Sequence, residues 1–211
     1  MGENRVQFTD RHHGDFSNAD GPPHPGSGVP PRPWTWLRQV HGSRVVIVER
    51  PGEHAGQEAD AAVTTAPGCA LVIRTADCAP VMLSGRGGVG IAHAGWRGLV
   101  AGVIEATASS MRDLGVEPLT ATIGPCIQPT DYEFGADDLD AIAAQLGDSV
   151  RGVTRWGTPS LDVPAAVRAA AAKAGIHAVS GGRFDTAIEA SYFSFRLRGD
   201  TARMATIAWI S

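Results

Sequence analysis

Short apolar runs divided by glycine breaks set the pattern of this chain, most clearly between Arg74 and Gly98, RTADCAPVMLSGRGGVGIAHAGWRG. The runs Pro80–Ser84 and Val89–Ala92 flank Gly85-Arg86-Gly87-Gly88. Two apolar runs joined by such a break predict a β-hairpin. With the turn centred between Arg86 and Gly87, His93 falls opposite Pro80. Strand alternation then puts Cys78 on the face of Pro80 and makes it a diagonal neighbour of His93, with backbones about 7–8 Å apart. A slip of one residue would send the two side chains to opposite faces.

Further strands are expected at Val6–Phe8 (an edge), Arg44–Glu49, Asp60–Thr64, Ala70–Arg74, Leu119–Ile123 and Ile176–Val179. Tyr192–Arg196 and Arg203–Ile210, with Gly199-Asp200 between them, predict a terminal hairpin. Apolar residues recur near every 3.6 positions over Gly98–Leu114, Ala136–Leu146 and Val163–Ala174, and these are expected helices. Gly115 and Gly175 stand as stops, and Asp162 as a cap ahead of Pro164. Strands and helices mix without a βαβ repeat. The expected fold class is α+β, a single domain with a mixed β-sheet core in sandwich-like layers flanked by helices. Residues 1–33 are expected to be an irregular N-terminal segment, with a proline-rich linker over 21–33, and residues 34–211 the main folded domain.

Composition narrows the partners. A net charge of −4 with no basic stripe argues against a nucleic acid polymer or an anionic membrane as partner. A small anion needs only one or two arginines and stays open. Three cysteines, Cys69, Cys78 and Cys126, suit reduced thiols better than a disulfide framework. The polar N-terminus and the lack of a long apolar stretch point to a soluble cytoplasmic protein, a monomer or small homo-oligomer.

Three residues at strand ends, His41, Cys78 and His93, carry side chains suited to a borderline-soft ion such as zinc. Their separations are long, so three readings stand side by side. They are a metal site, a Cys78 thiolate with His93 as base, and a packed cysteine with two hydrogen-bonded histidines. Asp77 either orients a histidine, acts as a base or shapes a turn. Arg97, Arg196 and Arg203 are candidate phosphate ligands, Cys126 a candidate pocket residue and Trp96 a pocket wall. Cys69 belongs to the core, and His12, His13 and His24 are solvated.

The segments RQVHGSRV, ADAAVTT, RTADCAPVML, GIAHAGWRG, IGPCIQPTDYEF and FSFRLRGDTARMA, in that order over residues 34–210, resemble the YfiH-like family. That family is also called the multicopper polyphenol oxidoreductase (laccase) domain, the peptidoglycan editing factor and a purine nucleoside phosphorylase group. The resemblance implies one zinc, with copper also claimed, on His41, Cys78 and His93. It implies catalytic roles for Cys78, His93 and Asp77, and substrate contacts from Arg97, Cys126 and Arg196. The implied reaction is phosphorolysis of adenosine, inosine or guanosine to base and ribose 1-phosphate, with adenosine deamination and methylthioadenosine cleavage as related activities. The rivals are a peptidoglycan-precursor editing hydrolase, a copper-dependent polyphenol oxidase and a zinc-stabilised scaffold. Two departures stand out. The N-terminal GGVS and SLNLG-like motifs are missing, so that part is shortened relative to the family. Asp185-Thr186 replaces the usual Cys-Thr pair.

Overall fold

The structure, a computed structural model, describes residues 2–18 and 30–211. His24 and prolines 22, 23 and 25 of the expected linker lie outside the described residues.

A six-stranded mixed sheet forms the middle layer. Its spatial order is β11 (Val179–Gly181), β8 (Thr120–Ile123), β6 (Ala79–Gly85), β7 (Gly88–Ala94), β4 (Ala61–Thr64) and β3 (Val45–Ile47). A four-stranded sheet packs on one face, in the order β1 (Asn4–Phe8), β12 (Met204–Ile210), β5 (Leu71–Thr75) and β2 (Thr35–Trp36). Helices α1 (Trp96–Val100), α2 (Val103–Asp113), α3 (Ala136–Leu146) and α4 (Val163–Lys173) cover the other face. The layered α+β class read from the sequence is the class observed.

Burial explains why β6 and β7 read as continuous apolar runs rather than alternating ones. Val81, Leu83 and Ala92 face the helices with Leu99, Ile104 and Met111. Met82, Val89 and Ile91 face Leu71, Ile73 and Ala208 of the smaller sheet. The hairpin register is the expected one: Pro80 pairs with His93, and Gly85 with Gly88. Cys78, one residue ahead of β6, and His93 therefore meet at the end of the sandwich where β5 stops and β12 begins.

Four expectations change, the first being that the strand expected at Ile176–Val179 forms at Val179–Gly181, where it pairs in parallel with β8. The helix expected over Gly98–Leu114 divides into α1 and α2, because Gly102 takes a left-handed conformation with φ 84°. The expected terminal hairpin does not form. Strand β12 has β1 on one edge and β5 on the other, which leaves no edge for Tyr192–Arg196. That segment instead leads into a short helix, α5 (Phe195–Arg198), capped by the Ser194 hydroxyl and closed by left-handed Gly199. The chain also adds a small hairpin, β9 (Arg151–Val153) with β10 (Pro159–Leu161), whose three-residue strands give no readable alternation. His13 is not simply solvated, since its Nδ1 lies 2.7 Å from Asp10 Oδ1. Among the described residues, no helix is long and apolar enough to cross a membrane.

Candidate metal centre

Asp60, fully buried at the head of β4, organises the centre. Its Oδ1 accepts the His41 backbone N–H at 2.9 Å and lies 2.8 Å from His93 Nδ1. Its Oδ2 accepts the N–H groups of Val40 at 3.1 Å and Gly42 at 2.8 Å. A buried carboxylate is stable only when its oxygens are satisfied, and here four donors do so. The three converging N–H groups bend the chain so that His41 sits in the left-handed region, φ 62°. A carboxylate only accepts, so His93 donates from Nδ1 and keeps Nε2 free.

The His41 and His93 rings stand 4.7 Å apart, centre to centre, at 65°. Cys78 Sγ lies 3.8 Å from His41 Nε2. One ligand atom from each of the three residues falls within 4.8 Å of the others. Tetrahedral zinc with its usual bond lengths holds sulfur and nitrogen about 3.5 Å apart. The donor chemistry also fits, with one thiolate, two imidazoles and a carboxylate behind one imidazole.

Charges within the centre favour the Cys78 thiolate, its ligand form. In the metal-free protein they also favour the His93 imidazolium, so a metal ion has to displace the Nε2 proton of His93. Burial opposes the Cys78 thiolate, but the His93 charge and the hydrogen bonds of His41 and His93 outweigh it and bring the thiol down to about 6. Burial likewise opposes the His93 imidazolium, yet the Cys78 charge and the Asp60 hydrogen bond lift it to about 9. Asp60 is held below the usual carboxylate range. Its burial acts the other way and is overcome by the hydrogen bonds from His93, Gly42 and Val40.

The residue after β7 has to be glycine. A Cβ on Gly95 would stand 2.8 Å from His41 Cδ2 and 3.1 Å from Cys78 Sγ. Gly95→Ala is expected to push these two side chains apart and weaken metal binding at the cluster at least about tenfold, with the fold retained. Competition against a chromogenic chelator measures this, and unchanged affinity would refute the tight fit.

The centre opens onto a cavity of about 530 Å³ whose wall includes Arg38, Gln39, Arg74, Phe195 and Arg203. The Gln39 side-chain amide clasps the Arg74 backbone from both sides, at 2.8 and 2.9 Å. Arg74 donates to the carbonyls of Ser17 and Leu37, and Arg203 to those of Asp200, Thr201 and Ala202. Burial and the nearby Arg203 charge both lower the Arg74 pKa. Arg38 is paired with Glu58. Among the described residues these two guanidinium groups donate hydrogen bonds only to carbonyls. Arg74 also sits over Trp36 and Arg203 over Phe195, with the Asp15 charge acting on Arg203, and the two leave the cavity with positive charge.

Of the other residues picked out from the sequence, Asp77 and Trp96 border a small recess beside Cys78 and Gly95, and Arg97, Arg196 and Cys126 line neither this recess nor the cavity. Asp77, with φ 91°, turns the chain into β6. Its Oδ1 accepts the Thr186 hydroxyl at 2.7 Å and its Oδ2 the Arg196 N–H at 2.6 Å, so both oxygens tie down the C-terminal segment. Arg97 stacks on Trp96, 4.3 Å from the ring centre, and Arg196 stacks on Tyr132 at 4.6 Å. Neither lines the cavity. Cys126 is packed in the core between the sheet and the helices, and burial pushes its thiol far up. Cys69 is in the core as expected. Sequence reasoning missed Asp60, Gln39 and Arg74. Asp60 had a signal, a carboxylate opening the otherwise apolar run ADAAVTT.

This layered sandwich carries at one end a His-Cys-His cluster that could hold a metal ion, and comparison with known proteins narrows the class. Residues 25–211 match the family model described as multi-copper polyphenol oxidoreductase laccase, and the chain belongs to that family. A purine nucleoside phosphorylase of Streptomyces coelicolor is 38% identical over 188 residues, covering 87% of this chain and 77% of the relative. The Escherichia coli purine nucleoside phosphorylase YfiH is 37% identical over 187 residues, covering 86% of this chain and 75% of the relative. The crystal structure of a Neisseria meningitidis protein superposes with a TM-score of 0.75 at 32% identity, covering 85% of this chain and 75% of that one.

Proposed function

We propose that the protein is a zinc-dependent purine nucleoside phosphorylase, converting adenosine, inosine or guanosine and phosphate to free base and ribose 1-phosphate. The observation that carries this reading is the convergence of His41, Cys78 and His93 at the wall of a cavity that also presents Arg74 and Arg203. The relatives' names supply the reaction class, and the cavity suits it. A zinc ion held by the three residues would supply a Lewis acid beside the bound substrates.

The chain's own residues do the rest. Arg74 and Arg203 neutralise phosphate as forked donors, a part the sequence gave to Arg203 along with Arg97 and Arg196. Phe195, 60% exposed on the wall, offers a face for the base. Asp60 fixes the tautomer of His93. Asp77 acts by position, holding the N-terminus of α5 and with it Phe195. Among the described residues there is one such cluster, which supports a mononuclear centre over a multicopper one.

The test is incubation of zinc-loaded protein with inosine or adenosine, with and without phosphate, followed by chromatography. Free base released only with phosphate supports the reading. Inosine formed from adenosine without phosphate would mark deamination as a second activity. No turnover by folded protein with one zinc bound would overturn the phosphorylase reading in favour of the editing hydrolase or the scaffold.

A further inference from the structure

A second cavity, of about 590 Å³, lies where β1, β8 and β11 end, and it shares no lining residue with the metal cavity. Its size is in the range of small-molecule sites, about 300–1,000 Å³. Three aromatic residues line it: Phe8, Phe184 and Tyr192, the last two with ring centres 6.2 Å apart. Much of the remaining wall is bare backbone. A Cβ on Gly124 would stand 2.4 Å from the Phe8 ring, and one on Gly181 would stand 2.1 Å from the Ile123 carbonyl oxygen. Glycine at these two places therefore lets the strands close beneath the rings.

Two side-chain donors on this wall have no acceptor. Among the described residues, neither the Arg183 guanidinium nor the Tyr192 hydroxyl has a hydrogen-bond partner, and no acidic residue lines the cavity. The charges of Glu189 and Asp10 reach Tyr192, but neither residue lines the cavity. Glu189 accepts the Asp185 N–H at 2.8 Å, and Asp10 accepts the His12 N–H at 2.9 Å and lies 2.7 Å from His13 Nδ1. A cation and a neutral hydroxyl beside three rings, with no carboxylate among the lining residues, complement one kind of molecule. The geometry points to a second binding site, for a small planar aromatic anion of the arylcarboxylate class. Its ring packs among Phe8, Phe184 and Tyr192, and its carboxylate takes the Arg183 fork and the Tyr192 hydroxyl.

Titration of 2-naphthoate into the zinc-loaded full chain, followed by calorimetry, tests the site. The expected result is saturable binding of one molecule per chain. Arg183→Gln weakens it at least about tenfold, since a charge-assisted fork is lost, and the uncharged 2-naphthalenemethanol binds correspondingly worse. Tyr192→Phe weakens it less. Inosine does not displace the probe, and His93→Ala binds it as the parent does, so the outcome is independent of the proposed phosphorylase activity. Arg183 is exposed, so its variant folds. The proposal is overturned by absence of saturable binding at millimolar probe, by equal affinity in Arg183→Gln, or by displacement with inosine.

Discussion

Replacing Cys78 with alanine is expected to remove the metal and the turnover together while leaving the fold in place. Cys78 supplies the sulfur of the three converging donors, and its thiolate is already favoured near neutral pH. Changes to residues that only support ligands cost about 10–100-fold in metal affinity, so loss of a ligand exceeds the upper figure. Phosphate-dependent cleavage of inosine is expected to fall by at least about 10³-fold, equivalent to ~4 kcal/mol of transition-state stabilisation. Metal analysis, single-turnover chromatography and a thermal melt measure the three effects. The control is Cys126→Ala, a change to a core thiol outside the cavity, which retains metal and turnover. Rival readings give different patterns. If Cys78 were a metal-free nucleophile, chelation would spare the activity that Cys78→Ala destroys. If zinc only held the fold, the variant and the chelated parent would both melt early.

The central hairpin was legible because its information is local. The Gly-rich break fixes the turn, the turn fixes the register, and the register puts Cys78 and His93 on one face. His41 came only from residue chemistry and the family resemblance, since the bond that places it runs to Asp60, on a different strand. What stayed hidden is non-local. The 3.6-residue pattern runs unbroken through Gly102, so nothing announces the division between α1 and α2. Strand β12 was assigned a neighbour close in sequence, yet one of its real partners, β1, comes from the opposite end of the chain. Of the three arginines picked from the sequence, Arg203 lines the cavity and the other two do not, for the same reason. Arg97 and Arg196 adjoin recognisable motifs but stack on Trp96 and Tyr132, whereas Arg74 and Arg203 sit at the strand ends that meet at the cavity. Which arginines face a cavity depends on which strand ends meet, and the sheet order decides that.

Asp60→Ala is expected to have the largest effect of any change at a residue that touches neither metal nor substrate. It removes the acceptor of three backbone N–H groups and of His93 Nδ1 in a buried place. Breaking a buried hydrogen-bonded charge pair from one side costs about 3–5 kcal/mol. Zinc affinity is expected to fall about 10–100-fold as His93 loses its orienting partner and the His41 loop its anchor. Asp60→Asn keeps the shape, but its NH₂ confronts donors, so it too loses affinity, with a smaller loss of stability. The pH dependence separates this electrostatic role from packing. Asp60 is depressed in the fold, so its contribution is present above the unfolded carboxylate value, about 3.9, and is lost as pH falls through the lower folded value. His93 is raised to about 9 in the metal-free protein. Its contribution is complete below the unfolded value of about 6.5 and is lost as pH rises through the folded one. The stability difference between parent and Asp60→Ala, measured by urea unfolding in the presence of chelator, should therefore be greatest between about pH 4 and 6.5 and decline on both sides. A difference that stays level from acid to pH 10 would show that Asp60 fills space and does not hold His93 by charge.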